Sequence, residues 1–173
     1  GGGIKNIDQV EKLFSLGVEK ISINTSALEN HEFIKTLSKV FGSQSIVVSL
    51  DIKKDFFGKR KLYNWKKNKM LSEDIVDQIK KYTEYGAGEI LINDVSNEGT
   101  LSGFDFSMLE VIEKKINVPI IVNGGINSYE QINQILQNDN IDAVGVGAFF
   151  IYYGPHRAVL ISYIPEDKRK IIK

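Results

Sequence analysis

Short apolar runs recur along this chain. Each ends in Gly, Asn or Asp and is followed by a polar turn and an amphipathic stretch. The runs are VEKISINTS (18–26), SIVVSLDIKK (45–54), GEILINDVSNEG (88–99), VPIIVNGGI (118–126) and IDAVGVGAFF (141–150). Strands covered on both faces read as near-continuous Val/Ile/Leu segments, and strands alternating with helices predict a parallel sheet. The stretches between carry apolar residues at helical spacing. One helix is expected over 7–16, with Val10, Leu13, Phe14 and Leu16 on its apolar face and Gly17 at its end. A second, over 30–41, presents Phe33, Ile34, Leu37, Val40 and Phe41. Further helices are expected over 73–85, opened by Ser72 with Glu73 and Asp74, and over 106–115 and 128–137. Residues 53–71 are basic and aromatic instead, and predict a long excursion or hairpin that serves as a lid at the carboxyl face.

The chain opens on a glycine turn, GGGI, that runs straight into a helix. Such a turn normally follows a strand, so five complete strands are expected beside one orphaned strand end. A closed eight-stranded α/β barrel takes roughly 250 residues, or ~200 when compact, against 173 here. The expected fold is therefore an N-terminally truncated (βα)8 barrel covering about strands 4–8, as one partial domain over residues 1–173. Its sheet would have open edges at 18–25 and 142–150, and the chain is expected to be inactive alone.

In parallel sheets of this kind ligands sit beyond the carboxyl ends of the strands. Asn24, Thr25, Asp51, Asn93, Asn123 and Gly125 fall at those ends and are expected to share one site. Alternation along a strand places Val47 and Ser49 below Asp51 on the same face, and puts Lys20 and Glu89 at the amino ends. The Lys20–Glu89 pair reads on its own terms as a structural salt bridge. Asp51 has two readings. A partly desolvated carboxylate at a strand end is suited to acid–base chemistry. It equally suits capping of the turn or pairing with Lys53 or Lys54.

The glycines point to phosphate, because glycine lets backbone N–H groups approach an anion closely. One cluster comprises Gly99, Gly103, Gly124, Gly125, Gly145 and Gly147; the other comprises Gly1–Gly3 with Asn24 and Thr25. Two such cradles facing each other would suit a substrate with a phosphate at each end. His31 is expected at a solvent-exposed helix start. His156 lies in GPHRAVL beside Arg157, with no second ligand or acid partner visible, and no zinc spacing occurs.

Composition narrows the classes. Formal net charge is zero, with 22 basic and 22 acidic residues, which gives no support to nucleic-acid or anionic-membrane binding. The absence of cysteine removes disulfides and thiol nucleophiles and fits a reducing, cytoplasmic setting. No apolar stretch approaches the ~20 residues that span a bilayer.

GGGI, VEKISINTSALEN, FGSQSIVVSLDIKK, GAGEILINDVSNEGT followed by GFD, PIIVNGGI and the final glycine-rich strand resemble, in order and spacing, the cyclase subunit of imidazole glycerol phosphate synthase. The resemblance implies a (βα)8 barrel matched from the end of its third strand. It implies ammonia-dependent cleavage and cyclisation of a bis-phosphorylated formimino-aminoimidazole carboxamide ribonucleotide, in histidine biosynthesis, with no cofactor or metal. Asp51 would be one of two catalytic aspartates. Gly3, Asn24 and Thr25 would hold one phosphate; Gly99, Gly125, Gly147 and Ala148 the other, Ala148 through its backbone N–H alone. Ammonia would come from a glutaminase subunit docked at the amino face near Glu19. Lys20 and Glu89 would then form a gate for it. The tail YYGPHRAVLISYIP resembles a branch of the family associated with surface-polysaccharide genes. There the barrel would deliver ammonia for amidation of a nucleotide-linked sugar. A sister barrel that isomerises a related aminoaldose also uses aspartates and two phosphates, but needs no gate.

Overall fold

The computed structural model describes residues 1–112 and 116–169. Asn6 starts the first helix, α1 (Ile7–Ser15), by accepting a hydrogen bond from the Gln9 N–H. The helix ends as its sequence predicts. Gly17 takes a left-handed φ of 86°, and the N–H groups of Gly17 and Val18 return to the carbonyls of Phe14 and Leu13. Val10 is fully buried, but Leu16 stands in solvent at 73% exposure, because the turn at Gly17 carries it off the apolar face.

The first apolar run forms only a short strand, β1 (Ile21–Ile23). Thr25 and Ser26, expected in that strand, belong instead to a one-turn helix, α2 (Thr25–Glu29). Then come α3 (His31–Phe41), capped by Asn30, and the long central strand β2 (Ile46–Lys54). The excursion is a hairpin, β3 (Arg60–Asn64) and β4 (Lys69–Met70). The helix after it, α4 (Ile75–Glu84), is capped by Asp74, which accepts from the N–H groups of Val76 and Asp77. It therefore begins later than Ser72 predicts.

Strand β5 (Glu89–Asp94) follows. The helix expected over 106–115 is a 3-10 segment over Phe106–Val111, and residues 113–115 of that expectation lie outside the described residues. Strand β6 (Ile120–Asn123), helix α5 (Tyr129–Leu136) and strand β7 (Ala143–Gly145) complete the alternation. The last apolar run divides after Gly145: its Ala148–Ile151 portion is a short helix, α6. A two-stranded hairpin, β8 (Tyr152–Tyr153) and β9 (Ala158–Val159), and α7 (Glu166–Arg169) follow.

Strands β1, β2, β5, β6 and β7 pair in parallel. β5 takes one edge of β2. The other edge is divided: β1 pairs with Ile46–Val48, and β3 pairs antiparallel with Ile52–Lys54. The hairpin thus grows from the carboxyl end of the central strand. Alternation in β2 then separates two faces. Ile46, Val48, Leu50 and Ile52 join Ile34 and Leu37 of α3 and Ile79 of α4 in the core, whereas Val47, Ser49 and Asp51 point to the opposite, inner face. Parallel strands with helices on the outer face form the arc of an α/β barrel.

His31 is not the exposed residue its polar surroundings predict. Its ring lies between Tyr82 and Tyr85, with centroids 5.5 and 5.7 Å away, and its Nε2 is 2.9 Å from the Gln78 side-chain amide. Burial, with a smaller contribution from Lys81, lowers its pKa below 6.5. The neutral ring accepts from Gln78, so protonation breaks the contact. Because the folded pKa is depressed, the stabilisation is complete above pH 6.5 and is lost as pH falls through the folded value. Nuclear magnetic resonance titration of the His31 ring is expected to give a midpoint below 6.5. His31→Gln should flatten the stability slope in that window. A midpoint at or above the unperturbed value would overturn this account.

Candidate functional site

The parallel register aligns polar side chains across the carboxyl ends of three neighbouring strands. Asp51 lies opposite Asn93, Asn93 opposite Asn123, and Asn123 opposite Gly145. The side chains bond in sequence: Asn93 Nδ2 donates to Asp51 Oδ1 at 3.1 Å, and Asn123 Nδ2 donates to Asn93 Oδ1 at 3.2 Å. The row ends at Gly145 for a steric reason. A Cβ there would sit 3.2 Å from the Asn123 Cβ, so a larger residue would crowd the Asn123 side chain.

On β2, the residue two positions before Asp51 on this face is Ser49. It lines a cavity of about 590 Å³, together with Gly1–Gly3, Asn24, Thr25 and Lys66. Gly3, Asn24 and Thr25, assigned to one phosphate by resemblance, therefore surround one space. The hairpin tip reaches the same cavity. Trp65 lines it, and Lys66 lies 2.7 Å from Glu29 at its rim. Lys66 holds the Glu29 carboxyl below its usual range.

The other glycine cluster surrounds a separate hollow of about 10 Å³. Gly99, Gly125, Gly147 and Ala148 line it, and so does Asn123 from the polar row. Gly125 has a φ of 77°, and a Cβ there would fall 2.5 Å from the Gly103 carbonyl oxygen. Only glycine fits that close approach. The loop is held by the Gly103 N–H, which donates to the Gly125 carbonyl at 2.8 Å. The polar row thus runs between the two glycine-lined spaces.

At the amino ends of the strands Lys20 Nζ bonds Glu89 Oε1. Glu89 is mostly covered while Lys20 remains half exposed. Glu19 is exposed beside it. The pair therefore lies at the opposite end of the sheet from Asp51.

A third charged group was not singled out from the sequence. Arg60, at the base of the hairpin, is only 4% exposed, and its Nη1 lies 3.1 Å from Asp94 Oδ2. Its Nη2 reaches Asp105 Oδ2 at 2.6 Å, and Lys54 pairs with the same carboxylate. Asp94 also accepts from the Ser96 N–H and the Asn97 amide, and so shapes the loop that carries Gly99. Burial opposes ionisation of Asp105. Lys54, Ser107 and Arg60 outweigh it, and the pKa falls to about 2. The alternation Lys59, Arg60, Lys61, Leu62 was the available signal: it puts Arg60 on the inward face with Leu62. Among the described residues no three His, Cys, Asp or Glu side chains form a metal-binding group, and no helix is long and apolar enough to cross a membrane.

The family profile described as histidine biosynthesis protein matches residues 1–156. A Pseudomonas aeruginosa protein named "Putative imidazole glycerol phosphate synthase subunit hisF2" is 39% identical over 168 residues, covering 97% of this chain and 67% of the relative. A Leptospira interrogans protein named "Putative imidazole glycerol phosphate synthase subunit HisF" is 39% identical over 175 residues, covering 99% and 68%. The imidazole glycerol phosphate synthase subunit HisF of Dictyoglomus thermophilum is 38% identical over 171 residues, covering 98% and 64%. The chain spans about two thirds of the length of these relatives.

Proposed function

Because this chain belongs to the histidine biosynthesis protein family of (βα)8 barrels, we propose that it forms the catalytic face of an imidazole glycerol phosphate synthase cyclase. The substrate is a bis-phosphorylated formimino-aminoimidazole carboxamide ribonucleotide. Ammonia adds to it, and the adduct is cleaved and cyclised, with loss of one water, to imidazole glycerol phosphate and an aminoimidazole carboxamide ribotide. The observation that carries this reading is the polar row from Asp51 through Asn93 to Asn123, set between two glycine-lined spaces.

Asp51 transfers protons as one of a pair of aspartates that act as acid and base. Asn93 fixes the orientation of its carboxylate by donating to Oδ1, which leaves Oδ2 for the substrate. Gly3, Asn24 and Thr25 hold one phosphate, and Gly99, Gly125, Gly147 and Ala148 hold the other through backbone N–H groups. Ammonia enters from the opposite end of the barrel, past the Lys20–Glu89 pair, from a glutaminase subunit seated at the amino face near Glu19. The reaction needs no metal or cofactor.

The tail favours a second reading. The family match ends at residue 156, within GPHRAVL, and the tail resembles the branch that delivers ammonia for sugar amidation. In that reading the barrel is a conduit, and Asp51 does no proton transfer.

Calorimetric titration of the natural full-length protein tests the two-phosphate site. The bis-phosphorylated ligand should bind at least about tenfold tighter than an analogue lacking either phosphate, since charge-assisted contacts are lost with each. If both analogues bind as tightly as the bis-phosphorylated ligand, the proposal falls.

A further inference from the structure

The glycine-lined hollow at Gly99, Gly125, Gly147 and Ala148 has a charge problem if it holds a phosphate. Its lining contains no lysine or arginine and one carboxylate, Glu98. Glycine and alanine supply N–H groups but no positive charge, and a phosphomonoester brings close to two negative charges at neutral pH. Any full positive charge at this site comes from outside the lining.

The C-terminal hairpin brings one. Arg157 lies in the β8–β9 turn, and its Nη2 donates to the Gly99 carbonyl oxygen at the rim of the hollow. Three features hold it there. Its backbone has a φ of 50°, and its N–H donates to the Gly154 carbonyl at 3.0 Å. Its guanidinium lies over the Tyr152 ring, 4.7 Å from the centroid. The hairpin itself is tied to α6, the helix that begins at Ala148 of the same hollow: Leu160 N–H donates to Ile151 O and Ser162 N–H to Phe150 O, both at 2.8 Å. Among the described residues Arg157 has no carboxylate within ion-pair distance. Of the five N–H donors of a guanidinium, the Gly99 carbonyl takes one.

We propose that Arg157 is the charged ligand of the phosphomonoester at this second site, supplied by a hairpin that lies at the boundary of the family match. This assignment rests on the two-phosphate reading above. Arginine is suited to the task because its planar fork meets phosphate oxygens bidentately, and Tyr152 pre-orients it.

The test is a titration of the natural full-length protein with inorganic phosphate and, separately, with glycerol 3-phosphate, followed by amide resonances. Signals of Gly99, Gly125 and Gly147 are expected to move in the wild type with both probes, and more tightly with the ester. Arg157→Ala should weaken binding at these amides by about tenfold to a hundredfold. It should leave the responses of Gly3, Asn24 and Thr25 unchanged. Arg157→Lys should recover part of the loss, by keeping the charge without the fork. If Arg157→Ala binds as tightly as wild type, or more tightly, the role given to Arg157 is wrong while the two-phosphate reading survives. If the wild-type cradle amides ignore both probes, the two-phosphate reading fails and this assignment fails with it. Preference for inorganic phosphate over the ester would overturn the phosphomonoester assignment.

Discussion

Asp51→Asn is expected to lower ammonia-dependent turnover of the bis-phosphorylated substrate by about 10²- to 10⁴-fold, the usual contribution of a positioned general acid or base. The substitution is nearly isosteric. The amide oxygen it introduces still accepts from Asn93, as Oδ1 of Asp51 does at 3.1 Å, so the polar row keeps its geometry. Asp51 lines neither glycine-lined space. The loss should therefore fall on kcat, with KM little changed. Steady-state kinetics of the natural full-length protein, with an ammonium salt as the nitrogen source, separate the two constants without needing the glutaminase. Retained turnover would remove Asp51 from the chemistry. Retained ammonia delivery to a sugar amidation reaction, with no turnover of the ribonucleotide in either protein, would select the conduit reading instead.

Arg60→Met is expected to cost about 3–5 kcal/mol of folding stability, measured by chemical denaturation. The loss of one attraction is the smaller part of this. Asp94 is 3% exposed, and without Arg60 it would be a buried carboxylate with only the Asn97 amide and the Ser96 N–H beside it. The cost of an uncompensated buried charge exceeds what those neutral donors return. Arg60 already leaves its own Nε without a hydrogen-bond partner among the described residues, so the network is not fully satisfied even in the wild type. Combining Arg60→Met with Asp94→Leu should recover much of the stability, because an apolar pair carries no desolvation cost. If the double variant is as unstable as the single, the penalty does not come from the stranded carboxylate.

The same network sets an acid limb. The pKa of Asp105 is depressed from 3.8 to about 2. Its stabilisation is therefore present above pH 3.8 and is lost as pH falls through about 2. Asp105 is partly solvated, which limits the effect to about 1 kcal/mol, and Arg60→Met should reduce it. Arg60 also joins the hairpin base to the loop beginning at Asp94. Its loss is thus expected to loosen both Trp65 at the first cavity and Gly99 at the second.

Much of this arrangement was legible in the chain itself. Val47, Ser49 and Asp51 alternate with Ile46, Val48 and Leu50, and a strand has only two faces, so the inner face could be read without coordinates. The asparagines at 93 and 123 fell at the ends of apolar runs for the same reason. Local reading failed where the deciding contact was distant or where two local signals competed. Thr25 looked like the end of a strand, but the chain turns into α2 after Asn24. Asp74 won over Ser72 because its carboxylate takes two N–H groups at once. Leu16 and Val40 kept the helical period yet stand exposed, since periodicity does not say how far a helix face is covered. His31 was misread because the tyrosines that cover it come from α4 and its C-cap, far along the chain.

The sequence alone determined the alternation of strand and helix, the polar strand ends and the glycines beside them. These depend on period and steric volume within a few residues. Only the tertiary structure decided that Asp51, Asn93 and Asn123 bond in one row, that Arg60 alone among its basic neighbours is buried against Asp94, and that Arg157 meets Gly99. Each of these is an interaction between groups separated in sequence. Hydrogen bonds and buried charges respond to distances of a few ångströms, which strand register and loop path set and composition does not.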